Sequence, residues 1–573
     1  MEAILADTIP PLLQTLVERI RQSFDVDAEK GSLFEEIKLL ELASGVFNTY
    51  TARALSSLRY RQNQLIPVHR LPDDVLSMIF MRVVESVRGD EYFSSNYCPV
   101  RISGVCQRWR AVALGTSQLW AYVDATGPRP LMDIFSSHSG GATLHISARL
   151  DGTPSHDDYQ AGYWSRHASR WGSLKLTGYR TPTPERRIRE WIDQDMPSLE
   201  VLDISVEDYG LSGVFLRDIS KRDTSPRLRC IALRGILLTD STFANLINLR
   251  LGRIIGCEEV YVVHLLQAIG ASPLLEGLYV GDIHPLNEPD LDQLGEAAPR
   301  NIDLSHLQFL SLVYLDMWMI QFILSRVTIP PRAKLEIKIN GFPHDKNLSH
   351  ILPPSPVNLR NLQSIDTLMF SWTCSGDFCV VQGDVTTNTD GGCLSSLLSI
   401  HFCAPLIGGP VLAVQIAPSL EAVLSFMPVR LLSLEHFPNL EWAICALVRA
   451  LDHSPSINTL FLRDCHENVV QALSATPSDH PCPGLRVLGI LECRVSDDTL
   501  ISMVRSRTRD SNHIRSPGVA LEQLCLSGPP DESTAVRDAL SPLLEISSYS
   551  GAPFAEYVPN MVSPPTDGSE RLR

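Results

Sequence analysis

The chain has little of what would place it in a membrane, outside a cell or on a polyanion. No run approaches the roughly 20 uninterrupted apolar residues that span a bilayer. The first residues, MEAILADTIPPLLQTL, lack the positive start of a secretory signal. Basic residues are outnumbered, 49 Lys and Arg against 65 Asp and Glu, and the net charge is −16. A broad nucleic-acid or anionic-membrane surface needs clustered Lys and Arg, so neither partner is expected. The 13 cysteines are scattered, without the close-set framework of a small secreted domain. They read as reduced thiols, mostly small core residues. These absences point to an intracellular protein, cytoplasmic and/or nuclear, in which the sequon Asn347-Leu348-Ser349 has no role.

Catalytic motifs are missing too. There is no GxxxxGK[ST] loop and no GxGxxG between a strand and a helix, so nucleotide binding has no support. Gly210-Leu211-Ser212-Gly213 has the wrong spacing for a nucleophile elbow. Neither HExxH nor CxxC occurs. Cys374, Cys379, Cys393, His401 and Cys403 form one local group of metal-ligating types. Their spacing is irregular and they straddle expected strand and loop, so no metal is expected there. His436, His453 and His466 are lone histidines, read as surface or satisfied groups. The expectation is a non-enzyme with no cofactor and no metal.

What is present is a folded composition, 44% hydrophobic and 20% charged. At 573 residues the chain exceeds what one core usually organises, so several units or a repeat array are expected. Residues 1–66 form an N-terminal helical segment. Pro10 and Pro11 suit a helix start, followed by Leu12, Leu13, Leu16, Val17 and Ile20 at helical spacing. After Lys30-Gly31-Ser32 comes a second stripe, Leu33, Ile37, Leu40, Phe47, Ala54 and Leu58, too irregular to establish a coiled coil. It serves either to pack on the next domain or to self-associate. From 542 to 573 a flexible tail is expected, and loops at Ser375–Gly392 and Ser474–Pro483.

Between 123 and 541 a short motif, Leu-x-x-Leu-x-Leu, recurs. Copies begin at Leu199, Leu228, Leu275, Leu307, Ile457, Leu485 and Leu521, with weaker ones at Leu335, Ile365, Leu397 and Leu420. Alternate residues of a short strand face a core, and the earlier Leu seals the turn into it. One unit cannot bury its apolar face alone, but a stack can. Leu485–Arg507 is the fullest copy: a strand, Glu492-Cys493 at the turn, then a helix started by Val495-Ser496-Asp497-Asp498, with Cys465 at the place after Leu462 that Cys493 holds here. The pattern resembles an irregular leucine-rich-repeat solenoid, parallel strands inside and helices outside. An ordinary α/β domain with parallel strands is the alternative.

Residues 67–122 read as a helical unit. Leu71-Pro72-Asp73-Asp74 starts a helix, with proline in its first turn and two aspartates at the positive end of the dipole. Val75, Leu76, Ile79, Phe80 and Val83 form an apolar stripe, and Arg88-Gly89-Asp90 ends it. A second helix from Pro99 to Gly115 carries Val100, Ile102, Val105, Trp109 and Val112, with Arg101, Gln107, Arg108 and Arg110 on its wetter side. Gly104 within it either weakens the helix or admits a close neighbour. Leu71-Pro72, Asp73-Asp74, Ile79-Phe80, Val105-Cys106-Gln107-Arg108-Trp109 and Leu119-Trp120 stand in the order of an F-box. The segment resembles the F-box of proteins from mushroom-forming fungi over about 55 residues, although the link Val87–Cys98 is longer and more polar than in the compact form.

The resemblance implies a substrate-recognition subunit of a Skp-cullin-F-box ubiquitin ligase. The F-box would dock on a Skp-type adaptor, and through it on cullin and RING subunits, while the repeats hold a protein substrate. Docking is expected of Leu71, Pro72, Val75, Leu76, Ile79 and Phe80, with Val100, Val105 and Trp109. Trp109 and Trp120 are also expected to pack internally. Residues flanking the inward leucines point to the open face of the repeats, and among them Tyr279, Phe309, Phe461, Arg234 and Arg463 are of the types that anchor interfaces. The alternative is a repeat scaffold acting outside any ligase, its helical segment a cap.

Overall fold

The computed structural model describes residues 33–87, 97–150, 160–179, 184–207, 214–216, 225–238, 245–258, 260–287, 290–340, 348–353, 356–373, 378–385, 396–403, 416–476, 480–508, 520–527 and 534–549, with isolated positions among 11–22 and at 412. The chain divides into two compact units, Met1–Ala142 and Thr143–Arg573. No helix among the described residues is long and apolar enough to cross a membrane.

The first unit is helical: α1 (Leu33–Gln64), α2 (Asp73–Val87), α3 (Tyr97–Val105), α4 (Gln107–Gly115) and α5 (Arg129–His138). The stripe read at Leu33–Leu58 is thus one helix of 32 residues. The stripe at 12–20 lies mostly outside the described residues. In α2, Asp73 and Asp74 occupy the first turn, and Leu76, Phe80 and Val84, four residues apart, are the side chains it buries. The helix expected over Pro99–Gly115 is two helices. Cys106 breaks it with an extended backbone (φ −158°, ψ 170°) and caps α4, its Sγ accepting the Trp109 N–H at 3.4 Å. A Cβ on Gly104 would meet nothing within 4 Å, so no neighbour uses that gap. Trp120 is buried, donates its Nε1–H to the Ala113 carbonyl at 2.8 Å, and packs edge-on against Phe135 of α5 at 5.2 Å. That packing carries the first unit to Ala142, past the boundary expected at 122.

The second unit is a mixed α/β solenoid. The strands of its large sheet are β1 (Leu144–Arg149), β2 (Trp171–Tyr179), β3 (Val201–Glu207), β4 (Cys230–Arg234), β5 (Asn248–Cys257), β6 (Gly277–Pro285), β7 (Phe309–Val313), β8 (Lys334–Asn340), β9 (Thr367–Trp372), β10 (Phe378–Asp384), β11 (Leu398–Cys403), β12 (Leu431–Glu435), β13 (Thr459–Arg463), β14 (Val487–Leu491), β15 (Gln523–Ser527) and β16 (Glu545–Tyr549). β1 to β8 pair in chain order, all parallel. β12 to β16 do the same. Leucines of the motif stack in register, Leu278 on Leu310 on Leu335 for example, and these three are fully buried.

Two residues past the last ladder position the backbone turns left-handed at Gly235, Arg253, Asp282, Tyr314, His436, Asp464 and Glu492. The next residue is then thrown inward: Ile236, Ile254, Ile283, Leu315, Phe437 and Cys465 are all buried. This turn recurs with too many residue types to be visible as a sequence motif. Helices such as Tyr261–Gly270, Met317–Leu324, Glu441–Asp452 and Asp497–Arg507 return the chain between strands.

Three expectations are corrected. Leu420 opens a helix, Leu420–Phe426, and no strand. The expected loop Ser375–Gly392 contains β10, which runs antiparallel to both its neighbours, so the middle order is β8-β11-β10-β9-β12. Its pattern, Phe-Cys-Val-Val-Gln-Gly-Asp, buries Cys379 and Val381 on the inner side as a strand must. The tail expected from 542 begins with β16, paired parallel with β15; residues 550–573 lie outside the described residues. Strands β1, β2, β5, β12 and β16 were not among the expected copies, although β5 carries Leu246-x-x-Leu249-x-Leu251 in full.

Candidate functional site

The expected docking residues divide by exposure. Leu76 and Phe80 are fully buried in the first unit and serve its core, as does much of Trp109, whose ring lies 4.9 Å from that of Phe80. Leu71, Val75 and Val100 are half-buried and Pro72 is exposed. Ile79 is 40% exposed and Val105 59%. Met78 and Val83, on the same helix as Ile79, are exposed as well. The core of the unit is therefore complete without these apolar groups.

One residue placed on the wet side by sequence has a larger part. Arg108 donates to the carbonyls of His69 and Leu71 and pairs with Asp73 at 2.7 Å. Its planar fork pins the Leu71-Pro72 turn to α4. Nothing in a helical periodicity shows that the bonding partners lie 35 to 39 residues earlier.

In the solenoid, the residues flanking the ladder leucines do share one face, as their register shows: Asp203 beside Ala232, Ser311 beside Tyr279, Phe461 beside Gly489. Five of them were expected to anchor a partner. Tyr279 and Phe309 are half-buried on this face, as is Arg234. The Arg250 guanidinium lies 4.7 Å from the Tyr279 ring centroid. That ring lies along the sheet, where a Cβ on Gly281 would come within 2.8 Å of its hydroxyl. Burial and the neighbouring Asp282 hold the Tyr279 phenol above its ordinary range. Phe461 is only 8% exposed and is packed with Leu491 and Cys525, against Leu431 and Val487. Arg463 is held between Glu435 at 3.5 Å and Glu492 at 3.1 Å. Phe461 and Arg463 thus fasten adjacent strands to one another, and neither projects freely.

A polar cluster missed by sequence reading lies in the middle of the same face. Glu336 accepts from Ser311 Oγ at 2.7 Å and pairs with Lys338 at 2.9 Å. Burial pushes its carboxyl up, but Lys338 and Ser311 together hold it below its ordinary value. His401, next to Lys338 in register, bonds Ser399 at 2.7 Å through Nε2. Burial, aided by Lys338, pushes its pKa down to about 4, so it is neutral near pH 7. The copies at Leu335 and Leu397 depart from the leucine offsets of the motif, so the pattern does not single out the residues that flank them. Of the metal-ligating types nearby, Cys379 points into the interior while His401 and Cys403 share the open face; Cys374 and Cys393 lie outside the described residues.

No family model matches the chain, and no curated protein matches it. Among solved structures it is similar to the one described as the Rad7 and Elc1 complex in yeast. Identity is 12% and the TM-score 0.25, over 90% of this chain and 98% of that one. A likeness that low carries no argument.

Proposed function

We propose that the chain is a non-catalytic substrate receptor of a Skp-cullin-F-box type ubiquitin ligase, docking through the first unit and holding a protein on the open face of the solenoid. The observation that carries the reading is apolar surface left over on the first unit. Met78, Ile79, Val83 and Val105 face solvent around a core already filled by Leu76, Phe80, Val84 and Ile102. Exposed apolar patches of this kind mark partner surfaces, and here they sit within the ordered F-box-like motifs. Docking is assigned to Leu71, Pro72, Val75, Ile79, Val100 and Val105, with Leu76, Phe80 and Trp109 supporting them from within. Catalysis would be by proximity, the receptor raising the concentration of substrate lysines near a charged enzyme. Cullin and RING subunits would be reached only through the adaptor, in cytoplasm or nucleus.

The test is co-expression of the full chain with a Skp-type adaptor. Ile79→Asp with Val83→Asp changes only exposed side chains, so the unit should stay folded while capture drops at least tenfold. Leu71→Ala with Pro72→Ala should weaken capture as well. Wild-type capture by both folded double variants would refute the docking assignment and favour the scaffold reading.

A further inference from the structure

Two cysteines of consecutive repeats lie against each other where the chain leaves β13 and β14. Arg463 pairs with Leu491 in the ladder, and past the turn His466 pairs with Arg494. Cys465 and Cys493 are separated by the same 28 residues and so stand side by side. Neighbouring strands of a sheet run about 4.8 Å apart, within the roughly 4.4–6.8 Å that a disulfide spans between Cα atoms. The two side chains are held alike. Cys465 Sγ lies 3.5 Å from the Leu434 carbonyl oxygen and 3.4 Å from that of Arg463. Cys493 Sγ repeats this one unit on, 3.4 Å from that of Leu462 and 3.3 Å from that of Leu491.

The two thiols are not equivalent. The Cys465 N–H donates to Cys493 Sγ at 3.3 Å, and the Cys465 thiol hydrogen-bonds the same sulfur. Two donors aimed at one sulfur favour its thiolate. The Cys465 donors hold the Cys493 thiol below its ordinary value, against burial and the charge of Asp464. The same thiol contact, together with burial, holds Cys465 well above its own. Cys465 is 3% exposed, whereas Cys493 is half-buried and within reach of a small oxidant. A partly open thiolate beside a buried thiol has the makings of an attacking and a resolving cysteine.

We infer that Cys493 and Cys465 are an oxidisable pair, which hydrogen peroxide closes to a disulfide between two consecutive repeats. The Cys493 thiolate attacks one peroxide oxygen, the O–O bond breaks, and the departing hydroxide takes a proton from solvent to give water. Cys493 is left as a sulfenic acid. The Cys465 sulfur then attacks the Cys493 sulfur. The S–S bond forms, the S–O bond breaks, and the hydroxyl leaves as water with the Cys465 proton. The two sulfurs lose two electrons and the peroxide gains them.

Peroxide treatment of the reduced full chain, followed by non-reducing tryptic mass spectrometry, tests the pair. Cleavage after Arg463, Arg486 and Arg494 puts the two cysteines on separate peptides. The expected product joins Asp464–Arg486 to Val487–Arg494, with the link on Cys465. The first peptide also holds Cys482, which is buried, and burial pushes its thiol up to about 12. Cys465→Ser keeps a hydroxyl donor but cannot close the bridge. Dimedone should therefore trap about tenfold more sulfenic acid on Cys493 in that variant than in the wild-type chain. Far-UV circular dichroism shows whether the variant is folded; if it is not, the wild-type peptide map decides alone. Absence of the linked peptide at a dose that oxidises the exposed Cys445 overturns the inference. So does a link on Cys482, or equal trapping on Cys493 in the two folded proteins.

Discussion

At the scale of single residues, polar groups on one side of a core bond across long sequence distances. Arg108 is the clearest case. Arg108→Ala removes bonds to two backbone carbonyls and to Asp73 and is expected to cost about 2 kcal/mol, most of it from the carbonyls because Asp73 is well exposed. Lysine should restore little, since it cannot form the fork. Urea unfolding of the full chain and the two variants checks both statements. His401 makes a pH prediction. It faces Glu336 and Lys338 on one neighbouring strand, Ser399 on its own, and Val380 and Phe378 on the other. Its pKa is about 4 in the fold against 6.5 ordinarily, so the unfolded chain takes up the proton first. Its effect on stability is absent above pH 6.5. As pH falls toward 4 the fold loses at most about 3 kcal/mol. Glu336, held below its ordinary 4.5, shifts stability with pH in the same direction, but its stabilisation is lost only as pH falls below that value, outside the window where His401 first acts. His401→Gln should therefore flatten the fall in melting temperature between pH 6.5 and 4.5. An equal fall in both proteins would contradict the assignment.

At the scale of elements, the strands were legible where leucines sit at their three ladder positions and hidden where another residue stands in. Trp171 takes the first position ahead of Leu174 and Leu176, and Val429 does so ahead of Leu432 and Leu434. The antiparallel β10 was hidden for another reason. It is flanked by turn-forming residues, and seven residues without a strict apolar–polar alternation inside such a stretch read as loop until neighbours supply their hydrogen bonds. Packing between strands gives a third prediction. A Cβ on Gly489 would collide with the Phe461 ring. Gly489→Ala must push that ring off Leu491 and Cys525, at an expected cost of about 1–3 kcal/mol. Calorimetry of the variant beside Gly489→Ala with Phe461→Leu checks it: the smaller side chain should recover part of the loss. The end of the solenoid gives a fourth. Truncation after residue 542 removes β16 and leaves β15 as a bare edge, so it should lower the melting temperature and promote association.

At the scale of the molecule, the division at Ala142 matters more than the motif boundary. Trp120 ends the F-box-like run in sequence, yet its ring is covered by Phe135 and sits 5.2 Å from His138. A fragment of residues 67–122 would expose that ring, whereas residues 1–142 keep it covered. The longer fragment is expected to melt cooperatively and to capture a Skp-type adaptor, and the shorter one to melt earlier or not cooperatively. Thermal unfolding of the two fragments, followed at the tryptophan bands, separates them.

The sequence by itself determined the class of structure, because periodicity is a local property. Leucines at fixed offsets require stacked strands, and the stripe after Leu71-Pro72-Asp73-Asp74 requires a helix, whatever lies elsewhere in the chain. It also showed which residues flank the ladder, since alternation along a strand leaves no other choice. The tertiary structure alone decided which of them are free. Phe461 and Arg463 look like anchors in sequence, but the strands beside them supply Leu491, Glu435 and Glu492 and occupy both. Leu76, Phe80 and Ile79 are equally apolar, yet only Ile79 remains open, because the helices that cover the other two come from later in the chain. Exposure depends on what packs against a residue from a distance, and a local pattern holds no record of that.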